Sequence, residues 1–477
     1  MGSINTNVAS LIAQTALGNS QTALDTSLQR LSTGLRINSG ADDPAGLIES
    51  QNLQSEMSGL QQAVKNSSQA TNVITTADGA LTEVSSLLDD INGLVVKSAN
   101  SGALSSAELQ ANQLQIDSDV QSITRLAGTT SFGGLNLLDG SLDYITSGVA
   151  TSAISGLTIS QANLGTATSI PVDVNVISSA KLADLQFRAS AITKSVTLEI
   201  AGSTGAQTLS FISGTTASAI GFAVNNISDS TGVTANLINS ANANSGINFE
   251  SGGYGSASFV SIQAQSGTFQ TKNTTGGDTQ RAVGADVVAT INGALTVGNG
   301  LELKLNTSAL DLDMTLSDTF GAGKTSFAIT GGGALFQLGA DVNSQQQTSI
   351  GIGSVAASSL GNSSVGFLND IVTGGDASVA AGHAEKASQI VNVAIQQVAV
   401  LQGRLGAFEK NTLETNSASL QVVLENVTSS ESDISDTDFA SETANLTRAQ
   451  ILVQAGTSVL ATANNTPQTV LTLLQGH

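Results

Sequence analysis

Apolar residues at the start of the chain recur every three or four positions: Ile4, Val8 and Leu11, then, in a shifted phase from Leu17, Leu24, Leu28, Leu31 and Leu35. Alternating steps of four and three are coiled-coil spacing. The far end carries the same signal, with Leu446, Val453, Leu460 and Leu474 on a seven-residue period and Ala449, Gly456, Ala463 and Val470 at the complementary heptad position. Small residues there let helices approach closely. An isolated amphipathic helix with water on its apolar face is marginal and gains most of its stability from packing. The two ends therefore need each other, or neighbouring copies.

Between them the pattern breaks first at residues 39–46, SGADDPAG, where Gly40, Pro44 and Gly46 interrupt the helix and predict a hinge or spoke. It restarts at once: Leu53, Met57, Leu60, Val64, Ile74, Ala77, Leu81, Val84, Leu88, Ile91 and Val95. A continuous helix over 44–99 would be roughly 80 Å long at about 1.5 Å per residue, a rod that a globular enzyme rarely needs. The capping box from Ser105 to Glu108 starts a second helix with Leu109, Ile116, Val120 and Ile123 on one face. A distant stripe, Val391, Ala394, Val398, Leu401, Leu405, Phe408, then Leu413, Leu420, Val423 and Val427, slips in phase midway, which we read as the drift of a nearly straight helix. From about 145 to 330 the chain changes to Thr, Ser, Gly, Val and Ile with period-two alternation, as in VTLEI (196–200) and LELKL (301–305). These predict strands inserted into a helical body. The fold class expected is α+β.

Composition narrows the chemistry. The length of 477 residues suggests several domains, and 3% aromatic content with no Trp leaves core-building to Leu, Ile, Val and Ala, which suits long helical packing. A formal charge of -21 with only 16 Lys plus Arg argues against nucleic acid or anionic membranes as partners. Cysteine is absent, so disulfides, thiolate catalysis and cysteine-metal sites are excluded together. No basic residue precedes Arg30 and no apolar run approaches the roughly 20 residues that span a bilayer, so neither a secretory signal peptide nor membrane insertion is expected.

Catalytic readings fare poorly. GAGKT at 321–325 needs a glycine five residues before Gly323 to be a phosphate-binding loop, and Asp318 stands there. His383 and His477 are the only histidines, too few for a histidine metal cluster. The acid pairs Asp42-Asp43 and Asp89-Asp90 are expected as solvated surface. No catalytic, cofactor-binding or metal-binding residue is assigned, and the chain is not expected to be an enzyme.

Particular segments carry a resemblance: INTNVASLIAQ (4–14), LQRLSTGLRINSGADDPAG (28–46), the 88–100 stretch ending KSAN, TTSFGGLNLLDG (129–140), NLTRAQILVQAGTSVLATAN (445–464) and PQTVLTLL (467–474). In these the chain resembles bacterial flagellin, the subunit of the flagellar filament. The segment ALFQLGADVNSQQQTSIGI (334–352) resembles a strand segment that in many flagellins follows the first hairpin directly, and VTLEIAGSTGAQTLSFISGTTASAI (196–220) resembles a hook IN module. The resemblance implies a terminal helical assembly domain (1–43 and 433–477), a helical rod core with a β-hairpin (44–142 and 334–432), and an inserted variable β-rich outer domain (143–333).

It further implies self-assembly into a hollow extracellular helical filament for motility, with terminal helices that order on polymerisation. Implied partners are copies of itself, the flagellar export apparatus with a secretion chaperone on the C-terminal helix, and the filament cap and hook-associated proteins. The assembly residues are then Ile4, Val8, Leu11, Leu24, Leu28, Leu31, Leu35, Leu446, Val453, Leu460, Val470 and Leu474. For 53–95 and 391–427 the apolar stripes are better explained as intramolecular core. The segment that innate receptors recognise in many flagellins reads here LDDINGL (88–94): where the arginine-rich pattern has two arginines and a glutamate stand Asp90, Asn92 and Gly93, with Leu94 kept. Reversed charge in a complementary interface predicts weakened recognition. Two rival readings are a hook-filament junction protein and an adhesin or glycan-binding surface protein.

Overall fold

The computed structural model describes residues 6–475 except 101, 166, 243, 244, 275, 308 and 363, and leaves out the side chains of 467, 468 and 470–475. Its helices are α1 (Val8–Thr33), α2 (Pro44–Ala99), α3 (Ser106–Thr129), α4 (Ala217–Asn225), α5 (Ser228–Thr231), α6 (Ala384–Phe408), α7 (Thr415–Ser435) and α8 (Phe439–Gln475). All described strands lie between Ser131 and Phe367, so the architecture is α+β, with long helices at both ends and a β-rich middle. Two compact units result: residues 1–69, 338–342 and 412–477, and residues 70–337 with 343–411.

In the first unit α1 ends on Gly34 in the left-handed region (φ 77°), where a side chain would be strained. Pro44, whose missing N–H costs nothing in the first turn, opens α2. Residues 44–67 of α2 run antiparallel to α7: Ser50 Oγ and Gln54 Nε2 donate to Glu431 Oε1 (3.1 and 3.0 Å), and Asn416 Nδ2 donates to Ser67 Oγ (3.3 Å) at the other end. Between α6 and α7 lies a π-helical turn, Glu409–Glu414. This corrects the reading of the phase slip as gradual drift. One residue inserted in a single i→i+5 turn rotates the stripe at once and keeps Leu413 fully buried, whereas drift would spread over several heptads.

In the second unit, the later part of α2 buries Ile74, Ala77, Leu81, Val84, Leu88, Ile91 and Val95, α3 buries Ile116, Val120 and Ile123, and α6 buries Ile390, Val391, Ala394, Val398 and Leu405. α6 runs antiparallel to α2, with Ser85 Oγ donating to Gln402 Oε1 (3.3 Å) and Gln402 Nε2 to Thr82 Oγ1 (3.2 Å). α3 begins at the Ser105–Glu108 capping box, with both reciprocal hydrogen bonds made.

The β region of this unit is two bodies, one nested in the other. The first is an eight-stranded antiparallel sheet in the order Tyr144–Ser147, Gly323–Gly332, Ile170–Ser178, Val288–Ile291, Ala294–Asn299, Glu302–Asn306, Leu310–Leu316, Ile154–Ala162. Its end strands are drawn together by the segment after Gln347–Ile350: Leu142 bridges Ile352, and Gly351 N–H donates to Ser160 O (3.1 Å). Tyr144 closes the gap, its hydroxyl hydrogen-bonded to Ser349 Oγ (2.8 Å) and accepting from Ala162 N–H (2.9 Å). A Cβ at Gly333 or Gly351 would fall 2.7 or 2.9 Å from that ring, so both positions need glycine. Arg404 of α6 donates from Nη2 to Gly351 O (3.2 Å), joining helix to sheet, and its burial pulls the guanidinium pKa down.

The second body, residues 182–283, interrupts this sheet between Ile170–Ser178 and Val288–Ile291. It has a four-stranded sheet (Arg281–Val283, Phe259–Ser266, Val196–Gly202, Ala206–Phe211), a three-stranded sheet (Leu182–Phe187, Ile247–Tyr254, Val233–Leu237) and a core of its own around Phe249, Leu185, Leu198 and Ile200. At its neck Lys181 and Ala285 exchange two backbone hydrogen bonds (2.8 and 3.0 Å). Asp286 braces the neck by accepting from Ser256 N, Ser256 Oγ and Gly300 N, bonds that hold its carboxyl below the usual range. The stretch resembling a hook IN module falls on the 196–211 hairpin and the start of α4.

Candidate assembly surface

α1 and α8 pair antiparallel within the first unit. Asn7 Nδ2 donates to Ala463 O (2.8 Å) at one end, and Ser27 Oγ donates to Glu442 Oε1 (2.5 Å) at the other. The less exposed positions of α1 include the series Ser10, Ala13, Leu17, Ser20, Leu24, Ser27 and Leu31, beside Thr26 and Arg30, and those of α8 are Glu442, Leu446, Ala449, Val453, Gly456, Leu460 and Ala463. Both series step by three and four. Ala13 and Ala449 are the seam's buried apolar residues, and a Cβ at Gly456 would sit 3.2 Å from Leu17 Cδ1, so the helices meet where side chains are smallest. The polar clasp of Ser27, Glu442 and Arg30, whose Nη1 lies 3.7 Å from Glu442 Oε2, closes one end.

The seam divides the residues singled out from the sequence. Leu17, Leu24, Leu31, Leu446, Val453 and Leu460 face into the pair, whereas Val8, Leu11, Leu28 and Leu35 are exposed, Leu11 by 61%. A further apolar face escaped the heptad reading: Ile12 (65% exposed) on α1, and Ile451, Leu452 and Val459 (58%) on α8. A run such as ILV at 451–453 has an apolar residue on each side of the helix, a signal that a search for one stripe passes over. Ile4 and the side chains of Val470 and Leu474 lie outside the described residues. α8 itself continues across Pro467.

The spoke is a short two-chain crossing. Arg36 N–H donates to Ser435 O (2.7 Å), Thr437 N–H donates to Gly34 O (2.9 Å), and Leu35 bridges Asp436, so the links leaving α1 and α7 lie side by side. Of the acid pair expected as solvated surface, Asp42 is exposed and Asp43 half-buried, and both also carry hydrogen bonds of the spoke. Asp42 Oδ2 accepts from Asn38 N, Ser39 N and Ser39 Oγ, bonds that lower its carboxyl pKa, with the Ser39 side chain the largest cause. Asp43 Oδ1 caps the first turn of α2 by accepting from Gly46 N (3.0 Å). A Cβ at Gly46 would lie 2.6 Å from Ile37 Cδ1, while Gly40 is exposed.

In the second unit, Asp90 and Gly93 are exposed on α2 and Asn92 and Leu94 half-buried. Asp119 of α3 is buried, its Oδ1 accepting from Gln115 Nε2 (3.0 Å) and its Oδ2 without a partner. Burial, and less strongly the Asp90 charge, raise its carboxyl pKa. Among the described residues no group of three or more His, Asp or Glu could hold a metal ion, and no helix is long and apolar enough to cross a membrane. The strand Gly323–Gly332 takes up Lys324, so the 321–325 segment precedes no helix.

Two family models match this chain: the bacterial flagellin N-terminal helical region over residues 4–143 and the bacterial flagellin C-terminal helical region over 388–474. The B-type flagellin of Pseudomonas aeruginosa is 31% identical, covering 99% of each chain, and a flagellin of Salmonella typhimurium is 30% identical with the same coverage. The flagellar hook associated protein-3 of Legionella pneumophila overlaps 80% of this chain and 98% of its own at 10% identity, with a TM-score of 0.32, too loose to inform the fold.

Proposed function

The chain belongs to the bacterial flagellin family and is a structural subunit of the flagellar filament, and from this premise we propose that the α1/α8 pair carries the contacts that join copies. One observation carries the reading. The pair closes its seam with one leucine-rich stripe and small residues from each helix while leaving Val8, Leu11 and Ile12 of α1 and Ile451, Leu452 and Val459 of α8 in water. Covering such side chains is worth about 1.5–3 kcal/mol each, and in a single chain the first unit leaves them bare. A contact between different faces of identical copies grows into a helical polymer when its rotation does not close a ring. Leu17, Leu24, Leu31, Leu446, Val453 and Leu460 then act indirectly, by holding the two exposed faces in register. We assign Ile4, Val470 and Leu474 an assembly role on the family resemblance alone.

Residues 1–43 and 433–477 are thus the assembly domain, 44–142 with 334–432 the rod core, and 143–333 the variable insert, with Gly40, Pro44 and Gly46 in the spoke between the first two. The terminal helices order as copies join, which couples folding to polymerisation. The chain leaves the cell through the flagellar export apparatus, a chaperone covering the apolar C-terminal helix until then. It meets the cap and hook-associated proteins at the filament's ends, and has no enzymatic activity. With Asp90, Asn92 and Gly93 where a basic pattern is expected, it activates innate receptors weakly. Full-potency signalling by the purified monomer in a receptor reporter assay would overturn that last point.

The test of assembly is negative-stain electron microscopy after seeding with ammonium sulfate, comparing the full chain with one lacking residues 1–40 and 440–477. Filaments from the full chain alone support the reading; monomers from both favour the junction-protein alternative.

A further inference from the structure

A strand at the edge of a sheet offers unpaired N–H and C=O groups to any second strand, and proteins normally blunt such edges. The nested body, 182–283, has four edges, and three are blunted by identifiable devices. Along Val233–Leu237, the Asn225 side chain takes both backbone groups of Ala235, accepting from its N–H (2.7 Å) and donating to its C=O (2.9 Å). Along Leu182–Phe187, Gln186 exchanges two backbone hydrogen bonds with Lys272 (2.8 and 2.9 Å). The third, Arg281–Val283, is three residues long and begins with a cation, Arg281, stacked 3.9 Å over the Phe259 ring.

The fourth edge, Ala206–Phe211, has no such device. Its sequence, AQTLSF, contains no charge and no proline. Ala206, Gln207, Thr208 and Ser210 are exposed, and the following Ile212 is exposed by 77%. Its six residues pair in regular register with Val196–Gly202, without a bulge to twist the edge away. Among the described residues no other segment bonds to that strand's backbone. Electrostatics do not guard it either: residues 182–283 hold five carboxylates and four cations, a net charge of -1, against -21 for the whole chain. Two copies of this body can approach without the repulsion that the rest of the chain imposes.

We propose that Ala206–Phe211 is a docking edge whose occupant is the same strand of a second copy, paired antiparallel. Because the other three edges of the body are blocked, the matching open edge on another copy is this strand itself. Such a contact is two-fold symmetric. Copies within one filament share a polarity, so a two-fold contact cannot relate them; it joins chains of opposite direction, as free pairs or between filaments lying side by side.

The absence of cysteine makes the test direct. Full-length chains carrying Thr208→Cys, or Thr151→Cys as an exposed control in a loop of the first β body, are treated with a short bis-maleimide and resolved on a denaturing gel, both as monomer and as filaments. A covalent dimer from Thr208→Cys well above the Thr151→Cys background, lost when Gln207→Lys places a charge on the edge, is the expected result. Equal yields from the two thiols, or a dimer that survives the lysine, overturn the proposal. Circular dichroism of the Gln207→Lys chain separates loss of pairing from loss of fold.

Discussion

The terminal helix pair and the helices of the second unit use the same leucine-rich spacing and treat it in opposite ways. In the second unit Ile74, Leu81, Val84, Leu88 and Ile91 of α2 are fully buried, against elements supplied by the same chain. In the α1/α8 pair the buried apolar residues are two alanines, and the large side chains are half-buried or exposed. Two helices can cover only one stripe each, whereas these have apolar residues on two. The difference teaches that the stripe in the rod explains the stability of a monomer, while the surplus at the ends is explained only by other copies.

The comparison can be broken most decisively at the exposed faces. Leu11→Asp or Leu452→Asp should abolish filament growth in seeded assembly while moving the monomer's unfolding free energy by no more than about 0.5 kcal/mol, the usual range for surface changes. Loss of monomer stability in step with assembly would place these residues in a core after all. Leu88→Ala should do the reverse, costing about 3 kcal/mol in denaturant unfolding through the cavity it leaves in the rod. A Tyr144→Phe chain should lose about 1–2 kcal/mol, because the buried Ala162 N–H at the sheet closure is left without its partner while Ser349 Oγ keeps only its bond to Ala162 O. An unchanged midpoint would mean that water replaces both bonds.

The smallest effect concerns Asp119. Burial raises its folded pKa, so its favourable contribution is complete below the usual carboxylate range and is lost as pH rises through the raised value. Asp119→Asn should therefore raise the melting temperature at pH 7, and the gain should vanish near pH 3. A gain that grows in acid would contradict the burial argument.

Much of this molecule is legible because its signals are local. Pro44, the Ser105–Glu108 box and the heptads of α2 act over a few residues, so helix boundaries and the α+β class follow from spacing alone, as does the switch to period two near residue 145. The phase slip before Leu413 was equally visible, yet its cause was not, since a π turn and a gradual drift leave the same stripe in the sequence. Whether Leu24 or Leu28 faces the partner helix is likewise unreadable from a run with apolar residues on both flanks. Nor does any local feature announce that 182–283 forms a body with its own core, or that Asn225 closes one strand edge while Ala206–Phe211 stays open. The sequence by itself determined where helices and strands run, which residues are apolar, and which family's ends these are. Tertiary structure alone decided which apolar face is covered within the chain and which edge is left unpaired, because those depend on contacts between residues hundreds of positions apart, as between Leu17 and Gly456.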